Sequence, residues 1–123
     1  MNLRPLLVLP LVAVGVAAAS PAFASHAPAA KTYIVNEVQG SGPSSNKSGF
    51  AFKPYMLTVH KGDTVSFVDK SGAVPHNVVG MGNTVINRTA VNNKTYTVKF
   101  TKAGTYKYAC LIHPGMVGVI VVK

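Results

Sequence analysis

The stretch Cys110-Leu-Ile-His113-Pro-Gly-Met116 sets a thiol, an imidazole and a thioether at intervals of three residues. Pro114 and Gly115 mark it as a loop, and loops are where the chain can fold several side chains back over one point. A second imidazole, His76, lies 34 residues before Cys110 in Val74-Pro75-His76-Asn77-Val78, so it must come from another strand or loop. Two imidazoles, a thiolate and a thioether form a mixed nitrogen and sulfur set. That set suits copper passing between its two oxidation states, with a short bond to the thiolate and a long axial one to Met116. Taken singly, a buried Cys is an ordinary small core residue and a Met an ordinary gap-filler. Their regular spacing in one loop favours metal ligation.

Other chemistries fit less well. Zinc takes more cysteines, or a carboxylate or water, and rarely a thioether. A Cys-His nucleophile pair needs an orienting group, and the chain holds only three acidic residues. A multicopper oxidase flanks its Cys with histidines, whereas Ala109 and Leu111 flank Cys110 and the chain has four histidines in all. The expectation is a binding protein and not an enzyme.

The elements that must position these ligands read as strands. Lys31 to Val38 alternates with β-branched and aromatic residues, and Gln39 to Ser48 is a Gly- and Ser-rich loop. Tyr55, Leu57 and Val59 share a face, and His60 to Asp63 turns the chain. Val65 and Phe67, then Tyr96, Val98 and Phe100, then Tyr106, Tyr108 and Cys110 repeat the alternation. Val117 to Val122 is apolar on both faces. Cys110 thus ends a packed strand. No segment after the first 24 residues carries a helical stripe. The pattern predicts an all-β, Greek-key antiparallel β-sandwich or barrel.

The first residues have another purpose. Arg4, the uncharged apolar run Leu6 to Ala19 and Ala22-Phe23-Ala24 make a secretory signal peptide over 1–24, with cleavage after Ala24. The alternative is an uncleaved anchor, but the run is short for a span and contains Pro10. Cleavage leaves 25–123 as a single domain of 99 residues, without a transmembrane segment. Its one cysteine can form no internal disulfide, and an unpaired thiol in an oxidising exported space calls for a role such as ligation. The expected place is the periplasm, or the cell-surface space if there is no outer membrane. Without Arg4, 11 Lys and Arg face Glu37, Asp63 and Asp69, a net +8. The lysines are scattered and accompany no nucleic-acid motif, so redox proteins with an acidic docking surface are the expected partners of a monomer. His60 is read as exposed. His26, second in the cleaved chain, could hold copper weakly beside the free amine.

Pro54 to Lys123 resembles the cupredoxins, the plastocyanin and azurin superfamily. The likeness rests on Gly62-Asp-Thr-Val-Ser-Phe67, Pro75-His-Asn-Val78, Gly104-Thr-Tyr-Lys-Tyr-Ala-Cys110 and the loop to Met116. The two-residue gap between His113 and Met116 is similar to that of amicyanins. The resemblance implies one copper on His76, Cys110, His113 and Met116, and a one-electron carrier. It also implies that Asn77 ties the two ligand loops together. Electrons would leave by the edge of His113, through an apolar patch for which Pro75, Pro114, Gly115 and Met81 are candidates. The rival function is a copper carrier or buffer that delivers the metal, but no Met-rich or His-rich tract supports it.

Overall fold

The computed structural model describes Gly15 and residues 27–40, 49–89 and 95–123. Nine strands form among the described residues, and no helix. They are β1 (Thr32–Gln39), β2 (Phe50–Lys53), β3 (Met56–Val59), β4 (Thr64–Asp69), β5 (Val78–Gly80), β6 (Asn87–Arg88), β7 (Tyr96–Lys99), β8 (Gly104–Ala109) and β9 (Val117–Val122). One sheet has the order β2-β1-β4-β7 and the other β3-β9-β8-β5-β6.

The all-β sandwich is as expected, but both sheets are mixed. β1 runs parallel to β4, and β3 parallel to β9. Alternation reports which face of a strand is buried and says nothing of its neighbour's direction. The chain makes the β1–β2 hairpin, crosses to the other sheet for β3, and returns beside β1 as β4. That excursion is what turns the pairing parallel.

The core lies between the sheets. Val35, Phe52, Val65, Phe67 and Val98 point in from the first sheet, and Val59, Val78, Tyr106, Tyr108 and Ile120 from the second. Tyr108 meets Phe52 and Phe67 edge-on, at centroid distances of 4.8 and 5.1 Å, in the range favoured by aromatic quadrupoles. In β9, Gly118, Ile120 and Val122 are buried while Val117, Val119 and Val121 stay half-exposed. Its outer face is therefore less covered than its apolar sequence predicts. Strand directions give the sandwich two poles. β8 ends and β9 begins at one, beside Cys110 and Met116. β3, β7 and β9 end at the other, where Lys61 donates its backbone N–H to Lys123 and Gly62 donates to Phe100. A six-residue strand separates the poles by about 20 Å.

Candidate metal centre

The loop between β8 and β9 is closed by its own backbone. Cys110 N–H donates to the Met116 carbonyl at 2.9 Å, and Met116 N–H to the His113 carbonyl at 3.0 Å. Gly115 has φ of 91°, where a side chain would be strained, so the tight return needs a glycine. The turn buries Cys110 and Met116 in the core and leaves His113 half-buried.

His76 enters from the segment before β5 and is fully buried. Its neighbour Asn77 is buried too, and its side-chain oxygen accepts the Leu111 N–H at 2.7 Å. This is the tie between the two ligand-bearing loops that Asn77 was expected to make. It also satisfies a backbone donor that no strand reaches.

The result is a compact donor cluster. Cys110 Sγ lies 3.8 Å from His76 Nδ1 and 3.6 Å from His113 Nδ1. One ligand atom from each of the three residues lies within 4.8 Å of the others. First-row metals bind imidazole nitrogen and thiolate sulfur at about 2.0–2.3 Å. Three such bonds opened to tetrahedral or trigonal angles put donors about 3.5–3.8 Å apart, so these spacings are those of ligands around one ion. Met116 packs in the same core cluster as Cys110. Among the other predicted candidates, His60 stands at the opposite pole with a side chain 68% exposed, and His26 lies outside the described residues.

Hydrogen bonds fix which nitrogen of His76 faces the thiol. Ser71 Oγ donates to Asp69 Oδ1 at 2.5 Å, which uses its single proton. It can then only accept from His76 Nε2, 2.9 Å away. The proton of His76 therefore sits on Nε2, and the Nδ1 lone pair is free to bind metal. Asp69 Oδ1 also accepts the Ser71 backbone N–H at 2.9 Å, which fixes the serine. Burial holds the His76 pKa below its usual value against the opposing pull of Asp69, while His113 and Arg88 lower it further. The imidazole is neutral and ready to ligate near neutral pH.

Two further features were not visible in the sequence. Phe50, on β2, lays its ring against both imidazoles, with centroids 5.0 Å from His76 and 4.5 Å from His113. It closes the site from the facing sheet. Beneath lies a buried ion pair, with Arg88 Nη2 donating to Glu37 Oε1 at 2.7 Å. Glu37 stands opposite Asp69 in the β1–β4 register. Burial raises the Glu37 pKa from 4.5 to about 7, with Arg88 pulling it down and Asp69 pushing it up. Arg88 thus bonds Glu37, and Asp69, opposite Glu37 in register, bonds Ser71, which bonds His76.

Outside the cluster, the loop is apolar and exposed. Leu111 is 64% and Ile112 40% exposed, and Pro75, Pro114 and Gly115 lie at the surface around them. Met81, expected in this patch, instead donates its N–H to the Lys107 carbonyl, three residues back along β8 from Cys110. There it lines a groove with Tyr55, Val117 and Val119.

A two-sheet β-sandwich with a largely buried His-Cys-His cluster at one pole defines a cupredoxin. Residues 41–123 match the family described as copper binding proteins, plastocyanin/azurin family, and the chain belongs to that family. It is 38% identical over 92 residues to the chloroplast plastocyanin of Chlamydomonas reinhardtii, a match covering 64% of this chain and 63% of that one. It is 31% identical over 118 residues to amicyanin-alpha of Methylorubrum extorquens, covering 90% of this chain and 98% of that one. A match to the amicyanin of Paracoccus denitrificans spans 54% of that protein, so the first of these relatives and this one are each matched over less than two thirds of their length. Among solved structures, a Sinorhizobium pseudoazurin superposes with a TM-score of 0.60 at 29% identity, over 76% of this chain and 74% of that one. An oxidized amicyanin carrying a single substitution gives 0.55 at 30% identity, over 73% and 80%. The family binds copper, and His76, Cys110 and His113 form the site this chain offers for one ion.

Proposed function

We propose that this protein is an exported one-electron carrier holding one copper ion on His76, Cys110, His113 and Met116. The observation that carries the reading is the donor cluster, with Cys110 Sγ already at ligand spacing from both Nδ1 atoms. Bound copper supplies a one-electron change between its two oxidation states. The protein's part is to keep the ligands where they are in both. Ser71 and Asp69 orient His76, Asn77 fixes the two loops to each other, and Phe50 packs on both imidazole rings. His76, Cys110 and Met116 are sealed from solvent, so the half-buried His113 is the edge by which an electron leaves.

Leu111, Ile112, Pro114 and Pro75 surround that edge with an apolar collar. It suits brief docking on a redox partner, since a small apolar contact desolvates the edge without a large buried area. An acidic partner would be drawn in by the net positive charge at long range, but the contact itself is apolar. The burial of the ligands argues for a carrier of electrons over a deliverer of copper or an enzyme, because neither a chelating partner nor a substrate can reach the thiol. The leader over 1–24, its cleavage after Ala24 and a periplasmic or cell-surface location complete the reading.

Voltammetry of the copper-loaded protein tests it. The expected result is a fast, reversible one-electron couple, with slow loss of copper to an external chelator. A sluggish couple with rapid copper transfer would support delivery instead.

A further inference from the structure

The lysines are dispersed in sequence but not in space. Lys31 begins the chain's entry into β1, and its carbonyl accepts the Thr64 N–H. Lys61 is bonded to Lys123, and Lys99 stands opposite Thr64 in the β4–β7 register. Lys102 accepts the Tyr106 hydroxyl on its carbonyl in the turn before β8. Five lysines from five different turns and strand ends thus gather at the pole opposite Cys110. Little answers them there. Asp63 is buried, its carboxylate held by the backbone N–H groups of Lys31 and His60 at 2.8 Å each. Glu37 is buried with Arg88, and Asp69 is turned onto Ser71. The chain's three acidic side chains are therefore all engaged inside the fold.

We infer that this basic pole is a docking face for a membrane surface rich in anionic phospholipid headgroups. Two arguments select a lipid surface over an acidic protein. First, a specific protein interface has a dry apolar centre. The exposed large apolar side chains among the described residues are Ile34, Met56, Met81, Val85, Leu111 and Ile112, and none stands in the turns of this pole. A plane of headgroups requires only charge. Second, docking by this pole turns the apolar collar of His113, about 20 Å away, toward the aqueous side. A redox protein bound at the basic pole would instead stand a whole strand length from the copper ligands.

The pole also holds a cleft of about 120 Å³ lined by Pro28, Ala29, Lys31, His60, Lys61 and Asp63. That is the volume of about four waters, room for the phosphate of one headgroup beside two lysines. The charge distribution stands whether or not copper is bound.

Each lysine brought near an anionic leaflet strengthens binding about fivefold. The test is cosedimentation of the copper-loaded chain, as recovered from expressing cells with its N-terminus read by mass spectrometry. Vesicles of phosphatidylcholine alone are compared with vesicles one third phosphatidylglycerol. The pole variant K61E/K99E/K102E is set against K53E/K70E/K107E, which changes the same net charge at exposed lysines elsewhere. The visible copper band reports that each variant is folded. The expected result is salt-sensitive binding to the anionic vesicles, weakened on the order of a hundredfold in the pole variant and only severalfold in the other. Equal losses in the two variants would show that net charge alone acts. Equal binding of wild type and pole variant would show that this pole is not the membrane-binding face, and absence of binding would remove the membrane altogether. Displacement by millimolar inorganic phosphate would reduce the face to a site for small anions. Any of these four results overturns the inference.

Discussion

Replacing Glu37 with Gln should change how stability depends on pH more than it changes stability itself. Glu37 is buried and its pKa is raised from 4.5 to about 7, chiefly because burial penalises the charged form. Between those two values the carboxyl holds its proton in the fold, and the charge pair with Arg88 forms only above about 7, while in the open chain it is already ionised. Its contribution is fully present below pH 4.5 and is lost as pH rises through about 7. Linkage over that interval makes the wild type less stable at pH 8 than at pH 5 by on the order of 2–3 kcal/mol from this group alone. His76 opposes it, because a neutral buried imidazole that charges on unfolding makes stability rise with pH below about 6.5. That term is common to both proteins, so the difference between them isolates Glu37. Glutamine keeps an oxygen for Arg88 and removes the titration. The assay is urea unfolding of metal-free wild type and E37Q at pH 5 and pH 8. The E37Q protein should gain on the order of 2–3 kcal/mol on the wild type across that interval. Parallel pH profiles would refute the reasoning, and would mean that the Arg88 ion pair outweighs burial and keeps Glu37 ionised throughout.

Ser71→Ala removes the acceptor that fixes His76 Nε2–H, and outer partners of this kind are worth about 10–100-fold in metal affinity. A competition titration should show that loss, with Ser71→Thr largely restoring it. Asn77→Ala leaves the Leu111 amide without its partner and should cost about 1–3 kcal/mol in denaturant unfolding of the metal-free protein. Gly118→Ala would drive a methyl group into the ring and hydroxyl of Tyr108, itself wedged against Phe52 and Phe67. Overpacking there should cost about 1–3 kcal/mol, read by the same unfolding assay.

The site was legible in the sequence to the extent that it is local. Cys110, His113 and Met116 share one seven-residue loop, and the Pro75-His76-Asn77 segment carries its own signature. What surrounds them is long-range. Phe50 lies in Phe50-Ala-Phe52, three consecutive buried residues without alternation, so no periodicity marks the strand β2 or the ring that packs on both imidazoles. Glu37 and Arg88 are 51 residues apart, and nothing in either neighbourhood announces a buried ion pair. Ser71 reads as an ordinary loop serine until the fold sets it against His76. The parallel β1–β4 pairing was hidden because both strands alternate in the same way whichever direction they run. The lysines looked scattered for a related reason. A sandwich collects alternate strand ends at one pole, and residues far apart in sequence become one face.

The central claim is that Cys110 binds copper as a thiolate between two imidazoles. An absorption and paramagnetic-resonance spectrum of the copper-loaded protein, taken beside Cys110→Ser, tests it most directly. An intense visible thiolate-to-copper band in the wild type, abolished in the serine variant, is the predicted result. Copper bound without that band, or a spectrum unchanged by the substitution, would contradict it.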